Sequence, residues 1–292
     1  MSRAYTDSSS VARAYDNWTN DALLERLWGE HIHLGHYGDP PRSRDFRQAK
    51  HDFVHALVRW SGLDQLPAGS RVLDVGCGIG GSSRILADAY GLEVLGISIS
   101  PAQIARAQSL TPAPLNQNCR FAVMDALALE LDDQSFDAVW SVEACPHMAD
   151  KQRYADELLR VLKPSGRLAV ADWNRRDPSQ GELSTIERWV MRRLLDNWAH
   201  PEFASIESLQ AHLQGSRHAA GLTIETGDWS VATLPSWFDS IIEGARRPAA
   251  VLSLGLRGVG LGLREVPTLL LMHWAFATGL MRFGVFRGQK PG

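Results

Sequence analysis

The segment Val72-Leu73-Asp74-Val75-Gly76-Cys77-Gly78-Ile79-Gly80-Gly81 constrains this chain more than any other. An apolar run runs into a glycine-dense turn, and a helix is predicted over residues 82–90. That order is a buried parallel strand, a tight turn and a helix N-terminus. The turn brings backbone close to a ligand, and the first helical N–H groups point at the same spot. Such a turn is a nucleotide cradle.

Gly76-x-Gly78-x-x-Gly81 also satisfies the dinucleotide fingerprint, a weak signal by itself. A dinucleotide site needs an acid about 20 residues further on, at the end of the second strand. Here that strand, residues 93–98, ends at Ser98 without a carboxylate. Asp74, in contrast, stands inside the first apolar strand, where a carboxylate is costly unless paired. Acid-x-Gly-x-Gly-x-Gly is the pattern of enzymes that bind S-adenosylmethionine, which carries an ammonium and a sulfonium and no phosphate. Asp74, Gly76, Cys77, Gly78 and Gly80 are therefore expected to hold its methionine part. Ser98 and Gln103 are placed to hydrogen-bond the ribose diol, and Asp125, with Ala126 after it, to meet the adenine. Ser98 and Asp125 also read as cap residues.

Strands are predicted at 93–98, 119–124, 136–142 and 167–172. Helices are predicted from Pro101 and over 151–162, the latter stopped by Pro164 and Gly166. This alternation predicts an α/β fold, a doubly wound, Rossmann-like parallel sheet with ligands at the C-terminal strand ends. Residues 1–60 are expected to form a helical N-terminal lid and 61–175 the cofactor-binding core. Residues 176–292 should supply the remaining core strands, near 222–226 and 282–286, with helical substrate-cap insertions. The insertion at 235–281 is apolar, but its longest uncharged run, 266–281, is short of the roughly 20 residues that span a bilayer.

Thirty basic and 33 acidic side chains give a net charge of −3, so no nucleic-acid partner is expected. Three cysteines without metal spacing suggest a reducing compartment, and no apolar leader is visible. The expected location is cytoplasmic. Oligomeric state is not legible.

The fourth strand exits into Glu143-Ala144-Cys145-Pro146-His147. Glu143 and His147 are the candidate acid–base pair, histidine being the more useful base near neutrality; a plain loop role for His147 stays open. Cys145 reads as packing. Trp28, His31, His33 and, after the fifth strand, Trp173 are candidate acceptor-binding residues. The histidines lack the partners that would make a metal site, so no metal is expected.

With these residues in view, the chain resembles the tocopherol methyltransferases of plastids and cyanobacteria, in their 2-methyl-6-phytyl-1,4-benzoquinol branch. The resemblance covers nearly the whole chain. It rests on Trp28-Gly29-Glu30-His31-Ile32-His33, the stretch from Leu73 to Arg84, the stretch from Ala171 to Asp177, Leu234-Pro235-Ser236-Trp237 and the stretch from Arg264 to Met272. It implies a class I S-adenosylmethionine-dependent methyltransferase that C-methylates a phytyl- or solanesyl-benzoquinol on the route to tocopherols and plastoquinone, in peripheral contact with a thylakoid or plasma membrane. Sister γ-tocopherol enzymes carry Gly-Glu-His-Met where this chain has Cys145-Pro146-His147-Met148, so a Glu next to the histidine is absent. Ser98 with Gln103 also resembles the cyclopropane fatty acid synthase branch. Alternatives are γ-tocopherol as acceptor, a small amine, or a non-catalytic prenyl-lipid carrier.

Overall fold

A computed structural model describes residues 5–253 and 255–292, without the side chains of Val251, Leu256–Val259, Leu261, Gly262 and Arg264. Three helices come first: α1 (Ser8–Asn20), α2 (Leu23–Trp28) and α3 (Phe46–Ser61). The βα alternation follows as β1 (Arg71–Val75), α4 (Gly81–Tyr90), β2 (Glu93–Ser98), α5 (Pro101–Leu110) and β3 (Cys119–Val123). It continues through β4 (Phe136–Val142), α6 (Lys151–Arg160), β5 (Leu162–Arg175), α7 (Thr185–Asn197), α8 (Ile206–Gln214) and β6 (Thr223–Asp228). The helices α9 (Ser230–Thr233), α10 (Pro235–Arg246), α11 (Pro248–Leu252) and α12 (Leu256–Ala277) then lead to β7 (Met281–Gln289).

The described strands form one sheet in the order β3-β2-β1-β4-β5-β7-β6. Neighbours pair in parallel from β3 to β5, whereas β7 runs antiparallel to both β5 and β6. The doubly wound expectation holds, and the all-parallel one fails at this strand. The reason lies in the connection. A parallel neighbour needs a crossover back to the other end of the sheet. Helices α9 to α12 do not cross back, so β7 starts at the end where β6 stops. They are thereby left above the C-terminal strand ends, where a doubly wound sheet holds its ligand.

The sheet is packed on both faces. Val72, Ala138, Trp140 and Ala169 point to one core, with Phe53, Leu57 and Leu86; Leu73, Val75, Val139 and Leu168 point to the other, with Tyr154, Leu158 and Leu209. The period of two along β1 puts Asp74 on the Val72 face, toward α4.

One predicted boundary is corrected. Pro164 and Gly166 do not stop the sixth helix, which ends earlier, but lie inside β5. Register jumps there, since Phe136 pairs with Leu162 and Ala138 with Arg167. Residues 163–166 bulge out of the ladder to β4, a place within a strand where proline's missing N–H breaks no pairing.

Candidate active site

The turn after β1 is tied to the end of β2, because the Gly76 and Cys77 N–H groups both donate to the Ile97 carbonyl at 2.9 Å. Gly76 has φ +81°, and a Cβ there would lie 2.6 Å from that of Ala144. The turn thus closes against the exit of β4. Gly80 has another role than the one expected. It does not line the cavity; a Cβ on it would strike the Phe121 ring at 2.6 Å, so it packs the turn and starts α4.

A cavity of about 160 Å³ opens at this turn and takes in Asp74, Gly76, Cys77, Gly78, Ser98, Gln103, Asp125 and Ala126. Three strand ends thus bring together all the expected cofactor residues except Gly80. Asp74 is 2% exposed, and the Ser83 hydroxyl donates to its Oδ2 at 2.5 Å. Burial pushes its pKa up to about 7, partly offset by Ser83. A carboxylate so poorly compensated fits a cationic ligand beside it. Ser98 Oγ donates to Gln103 Oε1 at 2.7 Å, a contact that does not use the Gln103 amide N–H₂, and both residues line the cavity. Asp125 Oδ1 accepts from the Leu127 N–H at 2.9 Å. The donor set fits S-adenosylmethionine: acid for ammonium, amide and hydroxyl for a diol, carboxylate at the third strand.

The N-terminal helices close over this cavity. Asp16 of α1 accepts from the Ser100 hydroxyl at 2.5 Å and from the Ala102 N–H at 3.2 Å, at the start of α5. Arg106 of α5 donates twice to Glu25 of α2, at 2.6 and 2.8 Å. Tyr15 of α1 reaches the cavity wall, and its hydroxyl shares a 2.8 Å hydrogen bond with His147 Nε2. Burial first, then the charges of Glu143 and Asp172, holds the Tyr15 phenol well above its ordinary range.

Glu143 and His147 lie in one cavity but are not hydrogen-bonded partners. Glu143 takes a left-handed φ of +55° and accepts from the Leu34 N–H at 2.8 Å, which anchors the segment after α2. Burial pushes its pKa up to about 8, against the Leu34 amide, the Trp173 indole and Lys50. His147 moves the other way, down to about 4, through burial and then Lys151. It is therefore neutral at pH 7, with a ring nitrogen that can accept a hydrogen bond. Cys145 is buried as expected, its thiol pushed up by burial.

A second cavity, also about 160 Å³, lies between α1, α2, α10 and α12. Leu23, Leu24, Leu27, Ile241 and Leu269 make it apolar, with Trp28, Trp173, Trp198 and Trp237 around them. The two cavities share Tyr15, Ile32, His147 and Trp173. Of the expected acceptor residues, Trp28 and Trp173 line this second space, whereas His31 and His33 do not. They are packed at the glycine turn, bonded to each other at 3.0 Å, with His33 Nδ1 against the Leu34 carbonyl at 2.8 Å. Burial lowers both, His33 to about 3.

Sequence reasoning missed several residues. Lys50 is 2% exposed, donates to the His31 carbonyl at 2.6 Å and is lowered to about 7 by burial. Its signal was present: it falls on the apolar stripe of α3 with Phe46, Ala49, Phe53 and Leu57. Lys151 donates to the Cys145 and Met148 carbonyls at 2.7 and 2.5 Å, and Asp172 accepts from the Cys145 N–H at 2.9 Å. Together they hold the loop that presents His147. Tyr15 and His200 lacked any local pattern.

A Rossmann-like sheet with such a turn, an acid before it and a covered cavity over its strand ends defines a methyltransferase of the S-adenosylmethionine-dependent class. Consistently, the family model for a methyltransferase domain matches residues 73–170. The 2-methyl-6-phytyl-1,4-hydroquinone methyltransferase of a Synechocystis species is 57% identical over 99% of this chain and 90% of its own length. A chloroplastic tocopherol O-methyltransferase of Arabidopsis thaliana is 33% identical over 100% of this chain and 86% of its own. A cyclopropane synthase from Mycobacterium tuberculosis shares the fold, with a TM-score of 0.81 over 98% of this chain and 99% of its own at 17% identity. The chain belongs to the family of the 2-methyl-6-phytyl-1,4-hydroquinone and tocopherol methyltransferases, and it is an S-adenosylmethionine-dependent enzyme.

Proposed function

We propose that this enzyme C-methylates the ring of a prenylated benzoquinol, with the phytyl or solanesyl tail in the apolar cavity and the ring at the wall shared with the cofactor cavity. The observation that carries the reading is that shared wall. The cavity at the glycine turn, the more polar of the two, and the apolar one under the cap meet at Tyr15, Ile32, His147 and Trp173. At roughly 0.8 kcal/mol per buried methylene, a prenyl tail supplies affinity while the ring fixes the chemistry.

Asp74 receives the ammonium, Ser98 and Gln103 the ribose, and Asp125 with Ala126 the adenine. When bound, S-adenosylmethionine supplies an electrophilic methyl group. The ring carbon ortho to a hydroxyl becomes nucleophilic as that hydroxyl ionises, and phenols titrate near 10. A base is therefore needed at neutral pH, and His147 Nε2 is the neutral acceptor at the wall. The Tyr15 hydroxyl, bonded to that nitrogen and able to donate and accept, hands the proton on. Glu143, protonated at pH 7, anchors the closing segment through Leu34. Alignment to about 3–3.5 Å supplies much of the rate. Bond formation to the ring carbon would break the methyl–sulfur bond, and the tetrahedral carbon would then give its proton to water while the ring oxygen takes one back, so that the ring is aromatic again and one proton is released per methyl transferred.

Peripheral membrane contact belongs to the same reading. No described helix is long and apolar enough to cross a membrane. Helices α10 and α12 line the apolar cavity with one face and expose Phe238, Leu263, Leu270 and Trp274 on another. An exposed patch of that kind beside a lipid site suits a bilayer surface.

The test is an acceptor panel. Methyl-labelled S-adenosylmethionine is offered with phytyl and solanesyl quinols, γ-tocopherol and sarcosine, and products are weighed. Transfer to the prenylated quinols supports the reading; transfer to sarcosine alone overturns it.

A further inference from the structure

Two polar groups in the apolar cavity have no task in the chemistry above. His200 follows α7 and is 3% exposed, and both of its ring nitrogens are buried without a hydrogen bond. The Pro146 carbonyl lies on its favourable side, yet outside hydrogen-bond geometry, and the His147 ring packs against it at 4.3 Å. Trp237 of α10 is also 3% exposed, and its indole Nε1 is buried without a partner. The two rings flank Trp173, at 5.7 and 5.3 Å between centroids. Their neighbour Trp198 is different, since its indole donates to Glu265 Oε2 at 2.9 Å. Trp173 Nε1 and His147 Nδ1 are also buried without a hydrogen bond, but the Trp173 indole lies beside the Glu143 carboxyl and His147 is held at its other nitrogen by Tyr15.

Buried polar groups are nearly always paired, so each exception calls for a partner. An indole N–H can only donate. A neutral imidazole donates once and accepts once, and burial with the nearby His147 and Lys151 holds His200 neutral. The missing ligand must therefore offer an oxygen with lone pairs and a proton, within an otherwise apolar space. A phenolic hydroxyl has both.

The geometry points to His200 and Trp237 as the pair that binds the acceptor's second ring hydroxyl, the one remote from the methylated carbon. The assignment rests on the quinol reading of this cavity. The first hydroxyl is served by His147 and Tyr15; the second, para to it, accepts a hydrogen bond from the Trp237 N–H on its oxygen and donates one to His200. A site built around a substrate hydroxyl discriminates strongly against the analogue lacking it, because its own buried groups are then unpaired. His200 and Trp237 are on this account the residues that select a quinol over a monophenol.

The experiment compares a prenylated quinol with the matching monophenol that lacks the remote hydroxyl, using wild type, Trp237→Phe and His200→Phe. Steady-state kcat/KM is measured for both acceptors, and S-adenosylmethionine affinity by calorimetry. Each substitution should lower kcat/KM for the quinol roughly tenfold, the size expected for one lost buried hydrogen bond, with a much smaller change for the monophenol. Comparing ratios cancels the intrinsic difference in ring reactivity. Cofactor affinity should be unchanged. Equal losses on both acceptors, or loss of cofactor binding in both variants, mark the residues as structural and overturn the pair. Wild type that turns over neither acceptor, yet methylates another compound, overturns the quinol reading and the pair together.

Discussion

The cofactor-side cavity is built from strand ends and backbone, whereas the cavity under the cap is built from the side chains of helices. At the glycine turn, position follows from connectivity: β1, β2 and β3 must end side by side, so Asp74, Ser98 and Asp125 meet whatever else the chain does. Under the cap, Leu24 of α2, Trp198 after α7, Trp237 of α10 and Leu269 of α12 meet only because four helices pack in one particular way. The first kind of site is written in local sequence. The second is a property of the tertiary fold, and it is where relatives with one chemistry can differ in acceptor.

The sharpest way to break this contrast is at the shared wall. His147→Ala should lower kcat at pH 7 by about 10²–10⁴-fold, the range of a general base, and leave S-adenosylmethionine affinity intact. The deficit should shrink at high pH, where the quinol ionises unaided. Near wild-type kcat in a pH–rate series would move proton removal elsewhere, with His31 and His33, which line the cofactor cavity together with His147, as the next candidates.

On the cofactor side alone, Asp74→Asn keeps the shape and the Ser83 contact but removes the charge. Affinity for S-adenosylmethionine, by calorimetry, should fall about 10- to 100-fold, with KM for the acceptor little changed. The same residue sets a pH dependence. With Asp74 raised to about 7 in the free protein, a cationic ligand binds the carboxylate form. Affinity should therefore rise as pH increases toward 7 and level off above it, with protons released on binding below that point. Affinity flat from pH 5 to 8 would remove the charge of Asp74 from the site.

The cap side predicts smaller effects. Leu269→Ala, deep in the apolar cavity, should raise KM for a long-tailed quinol more than for a short-tailed one, without touching cofactor affinity. Leu270→Glu, on the exposed face, should reduce recovery with floated liposomes while the melting temperature stays within a degree or two, as for other surface changes. Leu271 is a poor companion for that test, because it packs against the core and its replacement by Glu should lower the melting temperature.

The same contrast explains what was legible in the sequence. Strands β1, β2 and β4 were readable because period and turn chemistry agree there, and the turn residues located the cofactor cavity. The direction of β7 was not, since an apolar strand carries no mark of its orientation; only the path of α9 to α12 sets it. Pro164 misled because its rule for helices gave no hint of a bulge. Of the candidate acceptor residues, Trp28 and Trp173 reach the second cavity, but the neighbouring histidines turn to the glycine loop, a choice set by packing against Lys50 and Gly81 rather than by spacing. His200 and Tyr15 lie about 50 and 130 residues from their partner His147, beyond the reach of any local pattern.

The central claim is that the acceptor's ring carbon, held where the two cavities meet, receives the methyl group. The most direct measurement uses ¹³C-methyl S-adenosylmethionine and a prenylated benzoquinol, with the product read by carbon NMR. The account predicts a methyl resonance of an aryl-bound carbon, with both ring hydroxyls still free. A methoxy resonance, or no transfer to this acceptor while another compound is methylated, would contradict it.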